Sequence, residues 1–258
     1  LETSSKGKII LALPAYNEAA CIGDLLDAAA AAFAEMRDRE PCVVVVDDGS
    51  RDGTAEAVRA HRSAFPVRLV QHEVNRGLGP AILTGLRAAL EMSDRPEADT
   101  IVNMDADNTH PPDAIPSMLR ALDKGADVVI ASRYRRGSRQ IGVPLKRRLL
   151  SYGARFLFFW KLRLPGVRDY TCGFRAYRAR TIQRAFETYG DQLITRAGFA
   201  CTDELLVNLA GLEPPPRIAE VPFVLRYDRK RGESKLELMK TVRETLKMLT
   251  RREAGKKS

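Results

Sequence analysis

The chain predicts an α/β fold in which a mostly parallel sheet is flanked by helices, and three observations carry that prediction. Short apolar segments alternate with helical patterns through the first half, the rhythm of right-handed crossovers. The run CVVVVD (residues 42–47) is continuous and β-branched, as in a strand buried on both faces. Polar clusters recur just beyond the apolar segments, at the carboxyl ends where open parallel sheets bind ligands.

Taken in order, KIILAL (8–13) predicts the first strand, and an alanine-rich pattern over 19–37 the first helix. CVVVVD is the second strand, followed by a helix from about Asp52, where DGTAEAVRAH carries start signals. VRLVQH (67–72) is the third strand and GPAILTGLRAAL (79–90) the next helix. TIVNMD (100–105) is the fourth strand, and PPDAIPSMLRAL (111–122) a helix with proline near its first turn. DVVIAS (127–132) completes the regular part. The second half predicts a basic amphipathic stretch over 144–163, a short strand in GFRAYR (173–178) and a helix in TDELLVNLAG (202–211). A strand in IAEVPFVLRY (218–227) and a terminal helix from about Ser234 follow. No internal repeat or low-complexity linker divides the 258 residues, so 1–258 reads as one domain. Its two halves are 8–135, which carries the rim clusters, and 136–258, which carries the basic helices.

An apolar fraction of 45% and a charged fraction of 29% are those of an ordinary globular chain. The net charge of +9 is not ordinary and points to an anionic partner. Cys21, Cys42, Cys172 and Cys201 show no zinc or redox spacing, which suits small core residues in a reducing compartment. The opening LETSSKGK has no apolar signal-peptide core, and no apolar run reaches membrane-spanning length. The expectation is a cytoplasmic protein, peripheral on the cytosolic face of a membrane.

PAYNE (14–18), DDGS (47–50), DAD (105–107) and SRY (132–134) each follow a predicted strand, so four polar clusters share one rim. Asp105 and Asp107, two apart, are like charges that repel unless a cation or a very wet surface separates them. A hard divalent cation, Mg²⁺ or Mn²⁺, suits them, because it takes one or two carboxylates and fills its other positions from phosphates. A strand-ending turn is the plain alternative for Asp-Asn-Thr. Neither a GxxxxGK[ST] loop nor a GxGxxG turn occurs, which excludes the commonest nucleotide-binding loops. His61, His72 and His110 form no metal cluster, and His110 reads as a turn residue before two prolines.

In sequence order, PAYNE, VVDDGSRDGT, MDADNTHPP, ASRY, GFRAYR and RKRGESK resemble the family 2 glycosyltransferases of GT-A (Rossmann-like) fold. Within that family the chain is most similar to dolichol- or polyprenol-phosphate mannosyl- and glucosyltransferases, from Lys8 to about Lys247. The resemblance implies that Pro14, Tyr16, Glu18, Val46 and Asp48 contact the nucleoside of a GDP- or UDP-hexose. It implies that Asp105 and Ala106 border the sugar diphosphate, with Asp107 the principal metal ligand and Asp105 beside it. Arg133, Arg229 and Lys235 would meet phosphates, a role suited to the guanidinium fork. Thr109 stands where relatives often place a metal-contacting glutamine; its hydroxyl could ligate directly or through water, which leaves the metal shell beyond Asp107 open.

The resemblance also implies inversion at the anomeric carbon, with the metal and arginines stabilising the leaving nucleoside diphosphate. A polyprenyl phosphate acceptor needs no general base, since its second pKa is about 6. A saccharide hydroxyl acceptor, the alternative, would need one, and Asp203 and Glu204 are the candidates. An acidic first helical turn explains the same two residues without catalysis.

From Arg133 to Arg163 ten basic residues occur with no acidic one, so this stretch alone carries +10. LLSYGARFLFFWKLRL (149–164) within it has the composition of an interfacial helix on an anionic membrane surface, or of a core helix with basic flanks. The terminal helix repeats the pattern with Leu236, Met239, Val242, Leu246 and Leu249. A membrane-spanning partner is compatible with both. A nucleic-acid-binding module would explain the charge alone but leaves the rim clusters unexplained, so nucleic acid is not an expected partner.

Overall fold

Strand β1 (Lys8–Ala15) divides its side chains between two interiors, as the two-residue period of a strand requires. Ile9, Leu11 and Leu13 join one apolar cluster and Ile10 the other. The computed structural model describes residues 6–145, 148, 151–153, 156, 160, 162–196, 198 and 200–229. The predicted terminal helix from Ser234 lies outside the described residues.

β1 is followed by α1 (Ala19–Phe33), β2 (Glu40–Asp47), α2 (Thr54–Ala60), β3 (Val67–Gln71), α3 (Leu78–Glu91) and β4 (Thr100–Asn103). A 3₁₀ turn at Pro112–Ala114 leads into α4 (Ile115–Asp123) and β5 (Val128–Ser132). Then come β6 (Arg139–Ile141), β7 (Arg175–Arg178), α5 (Ala179–Tyr189), α6 (Ala200–Ala210), β8 (Ile218–Pro222) and β9 (Val224–Arg226). Seven strands form the main sheet in the order β3-β2-β1-β4-β7-β5-β8, and β6 pairs with β9 in a separate parallel ribbon. All neighbours in the main sheet are parallel except β7, which runs antiparallel to β4 and β5.

Every strand predicted in the first half is present; β1, β2, β4 and β5 are largely buried, while β3, at the sheet edge, is partly exposed. Helices α1 and α4 pack Leu25, Leu26, Met118 and Leu119 into the first cluster with Val43 and Val45. Helices α3, α5 and α6 pack Ile82, Leu86, Ile182, Leu205 and Leu209 into the second with Val44 and Val46. The predicted strand 218–227 divides after Pro222, and Val224–Arg226 leaves the main sheet for β6. Helix α5 and strand β6 were not expected. Ala179, Ile182 and Ala185 are α5's buried stripe, a narrow signal among its polar residues.

The topology puts three loops on one rim. β2 ends at Asp47 opposite Ala15 of β1, while β4 ends at Asn103 opposite Ala12. Asp105–Asp107 therefore leave the sheet beside the end of β1. β7 begins at this rim, with Arg175 opposite Asn103, so the segment before it crosses the rim as well. The Asn103 side chain donates to the Gly173 carbonyl (3.1 Å) and ties the two strands there.

In the basic stretch, the described residues Leu145, Arg148, Ser151–Gly153, Phe156, Trp160 and Leu162 are helical. Leu145, Tyr152, Phe156 and Trp160 are exposed, with Phe156 at 71% and Trp160 at 66%. Their spacing of seven, four and four residues places them on one helical face. Leu162 instead packs against the first core cluster. Among the described residues no helix is long and apolar enough to cross a membrane.

Leu11 is fully buried between β2 and β4. Leu11→Ala is expected to cost about 2–5 kcal/mol of unfolding free energy, read as a lower urea midpoint at unchanged m-value.

Candidate active site

A cavity of about 290 Å³ opens at the carboxyl ends of β1, β2 and β4. Pro14, Tyr16, Glu18, Asp48, Asp105, Ala106 and Asp107 all line it, so seven of the residues singled out in the sequence converge on one space. Ala15, Asn75, Gly77, Leu78, Ala81 and Gly198 complete the wall, and Gly198 is its only described contributor from beyond residue 135.

Two loops that follow β1 and β2 hold each other. The Asn17 amide donates to Ser50 Oγ (2.9 Å), the Glu18 amide to Thr54 Oγ1 (2.9 Å) and the Ala19 amide to Asp52 Oδ2 (3.0 Å). The Arg51 amide returns a bond to Asn17 Oδ1 (2.9 Å). Asp47 and Asp48 divide their work. Asp47 takes the Ser50 amide (3.0 Å) and the Gln71 side chain (3.3 Å), closing its own turn. Asp48 faces the cavity and accepts from the Arg76 and Gly77 amides (2.9 and 2.8 Å). Gly49 is required here at φ +68°, since a Cβ would lie 2.4 Å from the Val74 carbonyl carbon.

Asp107 is 9% exposed, and its Oδ1 accepts both the amide (3.1 Å) and the hydroxyl (2.6 Å) of Thr109. The Thr109 hydroxyl is thus spent on orienting Asp107, which fixes one edge of the carboxylate. Asp105 keeps more water, at 28% side-chain exposure, with the His110 ring nitrogen 3.7 Å away. His110 itself is buried, stacked on Phe174 and edge-on to Phe223, so it is more than a turn residue. Among the described residues no group of three or more His, Cys, Asp or Glu side chains could hold a metal by itself. Two hard carboxylates do fit a Mg²⁺- or Mn²⁺-type ion completed by substrate phosphates.

Four predicted site residues stand elsewhere. Val46 is fully buried on the α3 face, where a Cβ on Gly85 would meet its Cγ2 at 3.4 Å, so its side chain belongs to the core. Glu204 accepts the Thr195 amide (2.8 Å) and hydroxyl (2.6 Å) and the Arg196 amide (3.0 Å). Its carboxylate anchors the segment that carries Gly198 to the cavity. That segment crosses α3 where a Cβ on Gly79 would lie 2.0 Å from the Arg196 carbonyl oxygen, so only glycine fits there. Arg229 lines a second cavity with Asp24, Asn108, His110 and Asp228. Lys235 lies outside the described residues.

Arg133 is the fourth. Its guanidinium clasps Asp169 through Nε (2.8 Å) and Nη2 (2.6 Å) and also donates to Thr171 Oγ1 (2.5 Å). Burial would push the Asp169 carboxyl up, but the charge and hydrogen bonds of Arg133 outweigh it and hold the carboxyl below its ordinary range. Glu220 extends the network, accepting the Arg168 and Asp169 amides (2.6 and 2.7 Å) and lying 3.3 Å from Arg135. Sequence reasoning missed Asp169 and Glu220, which carry no motif and are defined only by the strands they bridge. The four cysteines are free and buried, and burial pushes Cys42 up to about 11 and Cys172 up to about 12, so neither is a thiolate at neutral pH.

Residues 11–186 match the family model for glycosyl transferase family 2. A dolichol-phosphate mannosyltransferase of Pyrococcus furiosus is 32% identical over 247 residues, covering 95% of this chain; the chain spans 63% of that relative's length. An undecaprenyl-phosphate mannosyltransferase of Micrococcus luteus is 32% identical over 232 residues, covering 89% of this chain and 87% of the relative. In fold the chain is similar to mannosyl-3-phosphoglycerate synthase from Rubrobacter xylanophilus, with a TM-score of 0.66 at 18% identity, over 95% of this chain and 74% of that one.

Because the folded-state carboxyl of Asp169 is depressed, its stabilisation is complete above its ordinary pKa and is lost as pH falls through the lower folded value. Asp169→Asn should cost about 3–5 kcal/mol at neutral pH by leaving the largely buried Arg133 without its countercharge. The wild type should converge on the variant only in strong acid; equal stability at pH 7 in chemical denaturation would refute the pairing.

Proposed function

The chain belongs to glycosyl transferase family 2, and from that premise we propose that it moves a hexose from a nucleotide-diphosphate sugar to a polyprenyl phosphate. The transfer is metal-dependent and inverts the anomeric carbon. One observation carries the reading: Asp48, Asp105 and Asp107 line the same cavity as Tyr16 and Glu18, a nucleoside end and a diphosphate end within one space. The mannosyltransferase relatives, with their lipid phosphate acceptors, support the substrate class.

In this reading Pro14, Tyr16 and Asp48 hold the nucleoside, and Asp105 and Ala106 border the sugar diphosphate. Asp107 is the principal metal ligand with Asp105 beside it. An ion held there would supply positive charge to the departing diphosphate. Thr109 prevents Asp107 from swinging away, which keeps one carboxylate orientation ready for the ion. Residues 8–135 form the donor half, and the 136–258 half supplies the acceptor side.

The acceptor is better matched to a phosphate than to a saccharide hydroxyl. A hydroxyl needs a base, yet Glu204 is taken up by three donors of the 195–196 segment and Asp203 is fully buried. A phosphate monoester arrives ionised and needs only positioning. The exposed face of Leu145, Tyr152, Phe156 and Trp160, within the stretch that carries +10, suits an anionic bilayer surface where such a lipid resides. A chain docked there is peripheral on the cytosolic leaflet, with or without a membrane-spanning partner.

With GDP- and UDP-sugars, Mg²⁺ or Mn²⁺, and a short polyprenyl phosphate, lipid-linked product should form and should vanish with chelator. Asp107→Asn should reduce it about 100-fold or more with an unchanged thermal melt; full activity in that variant would sink the metal assignment. Replacing Phe156 and Trp160 together with alanine should release the protein from phosphatidylglycerol vesicles while water-soluble donor hydrolysis persists. Undiminished vesicle retention would remove the docking face.

A further inference from the structure

One buried histidine plays no part in the reading above. His72, the residue after β3, has a side chain only 6% exposed, and its Nδ1 lies 2.6 Å from Asp48 Oδ1. Its Nε2 lies 3.0 Å from Thr84 Oγ1 on α3. Asp48 is an acceptor, so Nδ1 donates to it, while Nε2 pairs with the Thr84 hydroxyl, which can donate or accept. Both ring nitrogens are thereby held by a partner. The His72 amide also donates to the Asp47 carbonyl (2.9 Å), so backbone and side chain both bind to the end of β2.

A carboxylate offers about four acceptor positions. In Asp48 the Oδ1 positions are taken by His72 and the Arg76 amide, and one Oδ2 position by the Gly77 amide. One acceptor position remains, on Oδ2, in a residue that lines the cavity. The Asp48 side chain is 4% exposed, so it keeps almost no water with which to replace a lost donor. Without His72 the Arg76 and Gly77 amides would still hold one oxygen each, but a second acceptor position would open on Oδ1 and the tie to Thr84 of α3 would be lost.

We propose that His72 is a positioning residue for nucleotide recognition: bridging Asp48 to Thr84 of α3, it locks the carboxylate so that a single acceptor is presented to the nucleoside. The inference rests on the nucleotide-sugar reading of the cavity. It assigns His72 a role in donor binding and none in the transfer step. The sequence hides this role, because His72 lies 24 residues from Asp48 and belongs to no motif.

The test is calorimetric titration of UDP and GDP into wild type, Asp48→Asn, His72→Leu, His72→Asn and Thr84→Val, with donor kinetics on each. His72→Leu should weaken the nucleotide that wild type binds about tenfold or more, raising KM for the donor while kcat at saturation stays within about threefold. His72→Asn, whose side-chain amide can donate where Nδ1 did, should recover most of the affinity. Thr84→Val should lose less than His72→Leu and offers a milder change if the leucine variant is unstable. Wild-type affinity in His72→Leu, or no rescue by asparagine in a folded protein, overturns the positioning role alone. Failure of wild type to bind either nucleotide overturns the donor reading and this inference together. Binding by wild type that Asp48→Asn leaves unchanged removes Asp48 from the site, and the role of His72 with it.

Discussion

A carboxylate taken out of water must be given donors, and in this fold the donors are mostly backbone amides of loops. Asp48, Asp99, Asp169, Glu204 and Glu220 are each buried to 8% exposure or less. Asp99 draws the Lys8 and Arg95 amides to itself at 2.7 and 2.9 Å, fixing the start of β1 against the turn before β4. Asp48 draws in Arg76 and Gly77, Glu204 draws in Thr195 and Arg196, and Glu220 draws in Arg168 and Asp169. Each pairing is a requirement of burial, and each places a loop. The cavity wall is a consequence of this demand as much as of the sheet beneath it.

The sheet supplies the other half. Parallel strands send all their carboxyl ends to one rim, so loops distant in sequence become neighbours there. β7 is the exception: running antiparallel, it brings the 164–174 segment across that rim. The Arg133–Asp169 clasp forms where that segment meets the end of β5. An arginine that looked free to meet a phosphate is instead committed to building the platform, at the cost of its desolvation and with its charge balanced locally. Arg229, by contrast, lines a second cavity with Asp228 and is not among the residues lining the first.

The charge map follows the same division. Acidic side chains gather at the rim, where a cation and phosphates would be handled. Basic and aromatic side chains gather in the 133–163 stretch, and its exposed Phe156 and Trp160 are costly in water unless a partner covers them. In the proposed reading a membrane presenting an anionic surface and an apolar interior would answer both properties at once, and among the described residues no helix is long and apolar enough to cross it.

The sequence by itself determined the strand–helix order, the shared rim and the seven cavity residues from Pro14 to Asp107, because each rests on local periodicity or a short motif. Strands such as CVVVVD need no tertiary information to be recognised, since continuous β-branched residues have few other stable placements. What only the tertiary structure decided are the partners of charged side chains. Nothing local tells Arg133 that Asp169 is 36 residues away, that Glu204 will be taken up by the Thr195 turn, or that Val46 turns its side chain to α3. Helix α5 and the departure of Val224–Arg226 to β6 were likewise settled by packing, in segments whose own propensity is weak. Local pattern fixes which groups reach the rim; the energy of burying charge fixes which of them remain available there.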